Sequence, residues 1–189
     1  RLKRALLNTI VARAIGKYDA RLPLVIDPVL TYATYLGGTG DNEQITSMAV
    51  DGAGAVYVTG QTLSTDFPVT GGAIDATFNG SFDAFVAKLN PQGTALEYAT
   101  YIGGSDFDHP DAVRIDAAGN AYIAGATRST NFPVSAGAPQ GTLGGNRDAF
   151  VAKLNPQGTT LLYATYIGGT DDEPGNTENL AGFAVDAAG

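Results

Sequence analysis

Carboxylates gather a few residues after each of three Gly-Gly pairs: Asp41 and Glu43, then Asp106, Asp108 and Asp111, then Asp171, Asp172, Glu173 and Glu178 beside Asn176. Flexible loops rich in oxygen suit calcium, which takes about six to eight oxygen ligands. Asp41, Glu43, Asp106, Asp108, Asp171, Asp172 and Glu173 are therefore candidate calcium ligands. None of the stretches has the spacing of an EF-hand or of a glycine-rich nonapeptide, so solvated loops on an acidic protein compete with the metal reading. The single histidine, His109 in Ser-Asp-Phe-Asp-His-Pro, lies beside two of these acids. Imidazole titrates near neutrality and would serve as base or ligand, although a lone loop histidine is more often incidental. Asp51, Asp116 and Asp186 recur at equivalent places, and recurrence favours turn formation over catalysis, because an active site is used once. No nucleophile elbow, phosphate-cradling loop or HExxH is present. The sequence assigns no catalytic residue, and a non-enzyme is expected.

The elements that position these residues are announced by repetition. Thr-Tyr-Ala-Thr-Tyr-Leu-Gly-Gly at 31–38 returns with tyrosines at Tyr98 and Tyr101 and again at Tyr163 and Tyr166, spaced by 66 and 65 residues. The eleven residues from Asp83 to Gly93 recur unchanged from Asp148 to Gly158, and Thr-Asp-Phe-Pro-Val-Thr at 65–70 becomes Thr-Asn-Phe-Pro-Val-Ser at 130–135. A fixed period means units that bury their apolar faces against their neighbours. Within a unit the apolar spacing is two, the strand period. Met48 and Val50 match Val113 and Ile115 in a first strand; Val56–Val58 and Ala121–Ile123 form a second; Ala84–Leu89 and Ala149–Leu154 a third; Leu96–Ile102 and Leu161–Ile167 a fourth. Asp-x-x-Gly and Asn-Pro-Gln-Gly punctuate them as turns. Four antiparallel strands per unit, in tandem, predict an all-β chain: a β-propeller of four-stranded blades, of which about two and a quarter are present.

The expected divisions are a lead or upstream tail at 1–28 and propeller repeats at 29–189. The latter comprise a lone fourth strand at 29–38, blades at 39–104 and 105–169, and the start of a third at 170–189. The third unit stops at its turn, which reads as a piece of a longer protein whose far end would complete the first blade.

These phrases resemble the bacterial SBBP family of β-propeller repeats, typified by YxTYLGG, a hairpin of the AVDxxGNxYVTG kind, TxFP and DAFVxKLNPxG. The resemblance covers about residues 22–189. Ala55 stands where the pattern has Asn, and the third unit has a longer acidic loop. Membership implies a secreted or surface-exposed bacterial protein, large and multidomain, with no catalytic residues to carry over.

Charge narrows the partners. The chain carries −8, yet residues 1–21 hold six basic side chains against Asp19 alone, +5, leaving −13 for the rest. Such a body repels phosphate backbones, so nucleic acid is not an expected partner. No apolar run reaches the roughly 20 residues of a membrane helix. There is no cysteine, hence no disulfide or thiolate metal site. The expected function is a structural or interaction module serving adhesion, extracellular matrix or filament assembly. Its partners would be other domains of the polypeptide, neighbouring copies or surface glycans. The alternative is a carbohydrate-binding or carbohydrate-active propeller with its ligand at the central mouth. The repeated tyrosines would line a sugar-binding row if exposed, but packing between blades is the role that strand repetition favours.

Overall fold

The computed structural model describes residues 32–40, 42–170 and 183–186, all within the second of two units, Tyr32–Gly189. The described secondary structure is entirely β. The first sheet contains β1 (Gln44–Val50), β2 (Val56–Thr62), β3 (Asp83–Leu89) and β4 (Leu96–Ile102); the second contains β5 (Asp108–Ile115), β6 (Ala121–Thr127), β7 (Asp148–Leu154) and β8 (Leu161–Ile167). Each is a four-stranded antiparallel meander in chain order. Among the described residues no helix is long and apolar enough to cross a membrane. The strands coincide with the repeated phrases, and β5 begins early enough to include Asp108 and His109, which the sequence places in a loop.

Turn chemistry accounts for the hairpins. Asp51 Oδ1 accepts the amides of Ala53 and Ala55, each at 2.9 Å, and Asp116 Oδ1 does the same for Ala118 and Asn120. The Asx bond fixes the chain reversal, and Gly54 and Gly119 complete it at φ of 91° and 84°, a region disfavoured for other residues. Asn90 and Asn155 repeat the device for the second hairpin, their Oδ1 atoms accepting from Thr94 and Thr159 at 2.8 Å.

The inserts at 63–82 and 128–147 return along the outer strand of their own sheet. Thr70 N bonds to Ala99 O at 3.0 Å and Tyr101 N to Asp75 O at 3.1 Å, with Ser135 to Ala164 and Tyr166 to Gln140 as counterparts. The edges of β4 and β8 are thereby partly occupied, which removes the long unpaired edges that would recruit another strand.

The two sheets meet face to face. β5 lies across β1, β2 and β3, and Val113 N bonds to Ser47 Oγ at 3.2 Å. Tyr57, Val86, Tyr98 and Ile102 of the first sheet form one core with Val113, Ile123, Phe150 and Leu154 of the second. Repeat-equivalent residues show what coverage does. Tyr98 is 2% exposed and Tyr163 39%; Ile102 is 0% and Ile167 54%; Met48 is 47% and Val113 0%. The outer faces of the two-sheet stack are open where its inner faces are closed. Residues 183–186, the third copy of the first-strand phrase, line a groove with Tyr122 and Tyr163. Ile115 and Asp116 border the corresponding groove with Tyr57.

The tyrosines divide by role. Tyr98 lies between the sheets, where a side chain at Gly158 of the next unit would run into its ring; Tyr32 stands in the same relation to Gly93. Tyr101 and Tyr166 instead hold down their own inserts. Tyr101 Oη donates to Ser64 O at 2.6 Å and accepts from Phe67 N at 3.2 Å, and Tyr166 makes the same pair with Ser129 and Phe132. Residues 32–38 belong to no strand among the described residues, and Tyr35, the counterpart of Tyr101, is fully exposed.

Candidate functional site

The loop after each of the first two Gly-Gly pairs is tied down by a carboxylate. Asp108, wholly buried at the head of β5, accepts from Gly104 N at 2.7 Å, Ser129 Oγ at 2.9 Å and Thr127 Oγ1. Glu43 holds Gly38 N at 3.1 Å together with the hydroxyls of Ser64 and Thr62. A second clamp joins Thr39 N to Asp66 and Ser105 N to Asn131, both at 2.8 Å. Burial pushes the Asp108 carboxyl above the usual range, against the lowering effect of its hydrogen bonds. Burial acts upward on Glu43 as well, but its hydrogen bonds from Ser64 and Gly38 prevail and its pKa is lowered. Of the calcium candidates, Glu43 and Asp108 are thus engaged in closing loops. Asp106 is exposed, with Oδ1 accepting from Phe107 N at 2.7 Å. Asp41, Asp171, Asp172 and Glu173 lie outside the described residues. Among the described residues no group of three or more His, Asp or Glu side chains is arranged to hold a metal ion.

At the same end of the second sheet the two units part company. Phe107, half-buried, is the centre of a cluster drawn from four chain segments. His109 on β5 stacks with it, centroids 6.0 Å apart and planes within 9°. Phe82, just before β3, meets it edge-on at 5.6 Å. The guanidinium carbons of Arg128, following β6, and Arg147, preceding β7, are each 5.8 Å from its centroid. Asp111 Oδ1 is 3.3 Å from His109 Nδ1. Asp111 is the extra residue of a bulge, where the register slips between Pro110 and Ala112, and bulges re-aim side chains at sheet ends. The arrangement brings cationic, aromatic and hydrogen-bonding groups together beside one ring.

Residues 31–68 match the model of the SBBP beta-propeller repeat. This stretch is similar to one SBBP repeat. The matched stretch runs from the first Tyr-Ala-Thr-Tyr phrase through the β1–β2 hairpin into the insert. No curated protein matches the chain. With the SBBP unit as reference, the cluster stands out as departures between two otherwise similar copies. The strand pairings place His109 where the first unit has Gln44 and Asp111 where it has Thr46. By the same alignment Arg128 replaces Leu63 and Arg147 replaces Phe82. Sequence reading singled out His109 but missed Phe107, Arg128 and Arg147, which stand as many as 40 residues apart in the chain. The available signal was charge at positions that are neutral in the other copy.

Proposed function

We propose that this chain is part of a non-enzymatic scaffold, a structural and interaction module in which SBBP repeats stack face to face and present non-repeating loop ends to partners. The observation that supports this reading most strongly is the contrast between equivalent residues. Tyr98 and Ile102 are closed off by the next sheet, while Tyr163 and Ile167, identical in type, stay open. Contiguous apolar surface on a sheet face marks an interaction surface, and the apolar packing of the inner interface supports a further repeat as its neighbour. The neighbours would be further repeats of the same polypeptide or of another copy, and the setting extracellular or at a bacterial cell surface, as the family resemblance implies. Adhesion and matrix assembly both use such a scaffold.

Appending one more unit, a duplicate of residues 105–169, tests the reading. Nearest-neighbour stacking makes stability grow with each added interface. The melting temperature of the longer chain is expected to rise, and amides of β8 are expected to gain hydrogen-exchange protection up to the level of β4. An extension that folds yet leaves both unchanged would remove the scaffold reading.

A further inference from the structure

We propose that residues 32–38 are an open acceptor strand: a fourth strand already seated against the first sheet, whose free edge takes the third strand of a further SBBP-type meander in the same polypeptide. The inference rests on the scaffold reading and names the neighbour at the opposite end of the stack.

The contacts that a fourth strand makes to the next sheet are present. Tyr32 stands over Gly93 as Tyr98 stands over Gly158. Leu36, the counterpart of Ile102, packs on the first-sheet cluster of Val58, Phe85 and Ala87. Gly38 N and Thr39 N are held by Glu43 and Asp66, as Gly104 N and Ser105 N are by Asp108 and Asn131. Contacts in register with those of β4 make this segment a fourth strand in position, not a loop that shares its letters.

The contacts that a fourth strand makes within its own sheet are vacant. β4 and β8 pair along their length with β3 and β7, whereas no strand pairs with 32–38 among the described residues. In β4, Ala99 and Tyr101 bond outward to the insert at Thr70 and Asp75, so alternation turns the amides of Thr100 and Ile102 towards β3. Thr34 and Leu36 are their counterparts and turn to the vacant edge. Tyr35 is fully exposed. The hydroxyls of its counterparts, Tyr101 and Tyr166, each hold the Ser and the Phe of a Ser-Thr-x-Phe-Pro phrase in their own insert.

These vacancies specify the occupant. A row of unpaired amides and carbonyls recruits a strand. The partner that this strand type takes in both sheets reads Asp-Ala-Phe-Val-Ala-Lys-Leu, and Tyr35 asks in addition for a Ser-Thr-x-Phe-Pro insert on the same unit. Residues 1–31 contain neither phrase. A second copy of the two sheets has no third strand to give, because β3 and β7 already carry β4 and β8. The donor is therefore a meander without a fourth strand of its own. Since the two complete repeats are joined in tandem, the donor is assigned to the same polypeptide.

The test extends the full chain. After Gly189 follow a Gly-Ser linker of about 30 residues, which spans roughly 30 Å, and a duplicate of residues 39–93, a meander without its fourth strand. In a second extension the duplicate is 39–104, fourth strand included. Amide exchange at Thr34 and Leu36 is expected to slow at least about tenfold in the first, the mark of ladder bonds, with the light-scattering mass of a single chain. The second is expected to leave both amides fast, because its duplicate is already complete, while its melting temperature still rises by stacking; a flat melting temperature there counts against the scaffold reading alone. Thr34→Pro removes the amide that faces the donor and is expected to restore fast exchange at Leu36 in the first extension. Unslowed amides, equal slowing in both extensions, slowing that survives Thr34→Pro, or a mass of two chains would each overturn the assignment.

Discussion

Two carboxylates at the junction of the sheets show how far a residue can depart from what its type suggests. Asp83 opens β3, is wholly buried, and accepts the amides of Asn79 at 2.7 Å and Gly80 at 3.0 Å. Burial raises its pKa to about 6; the two amides oppose the shift and the nearby Asp108 carboxylate adds to it. Since the folded value lies above the roughly 3.9 of an unfolded aspartate, folding takes up a proton. The stability this contributes is full below about pH 4 and is lost as pH rises through 6. Asp108 is shifted in the same direction. Chemical denaturation of wild type and Asp83→Asn at pH 4.5 and 7.5 reads this directly: the advantage of wild type over the variant is expected to shrink by roughly 1–3 kcal/mol at the higher pH, and a pH-independent difference would contradict it. The sequence marks Asp83 as the start of a strand, and that is how it serves. Its burial beside Asp108 was invisible, because the two are brought together only when one sheet is laid on the next. The same reason hid the Phe107 cluster, whereas Asp51 and Asp116 were legible as turn formers because their partners lie two and four residues along the chain.

At the scale of elements the reading from sequence was nearly complete for strands and hairpins, since period-two apolarity and the Asp-x-x-Gly and Asn-Pro-Gln-Gly turns are local. The inserts were not legible. Rich in Gly, Ser, Thr and Pro, they carry no period, and their path is fixed by a tertiary contact, the tyrosine hydroxyl that bridges Ser129 O and Phe132 N. That hydroxyl is the anchor of the insert. Tyr166→Phe keeps the ring against Phe132 and removes only the bridge, leaving Phe132 N and Ser129 O their own longer bond at 3.3 Å. A loss of about 0.5–1.5 kcal/mol is expected, with faster amide exchange at Phe132 than at residues of β6. If exchange across the insert and the sheet rose together, the hydroxyl would be a general stability element and not a local anchor.

For the molecule as a whole the repeat supplies its own control. Tyr98 and Tyr163 have matched surroundings within their sheets: each meets a tyrosine of the second strand, Tyr57 or Tyr122, edge-on at 6.4 Å. Each also sits in a strand ending in the same Ala-Thr-Tyr-Ile-Gly-Gly. What differs is the neighbour, because the second sheet covers Tyr98 and leaves Tyr163 partly open. The same substitution at the two places therefore separates the contribution of stacking from that of the sheet itself. Tyr98→Ala deletes a ring from a closed interface and is expected to cost about 3–5 kcal/mol, the range for large aromatics in cores. Tyr163→Ala removes a ring already in contact with water and is expected to cost about 1 kcal/mol. Denaturant titration of the two variants measures the gap, and equal losses would mean that the sheets are stabilised internally, with stacking incidental. In a chain extended by one unit the cost at Tyr163 should climb towards that at Tyr98, because the new sheet would cover it as β5–β8 cover the first. Such a rise would place the stability of the array in its interfaces more than in its units, as the proposed stacking requires.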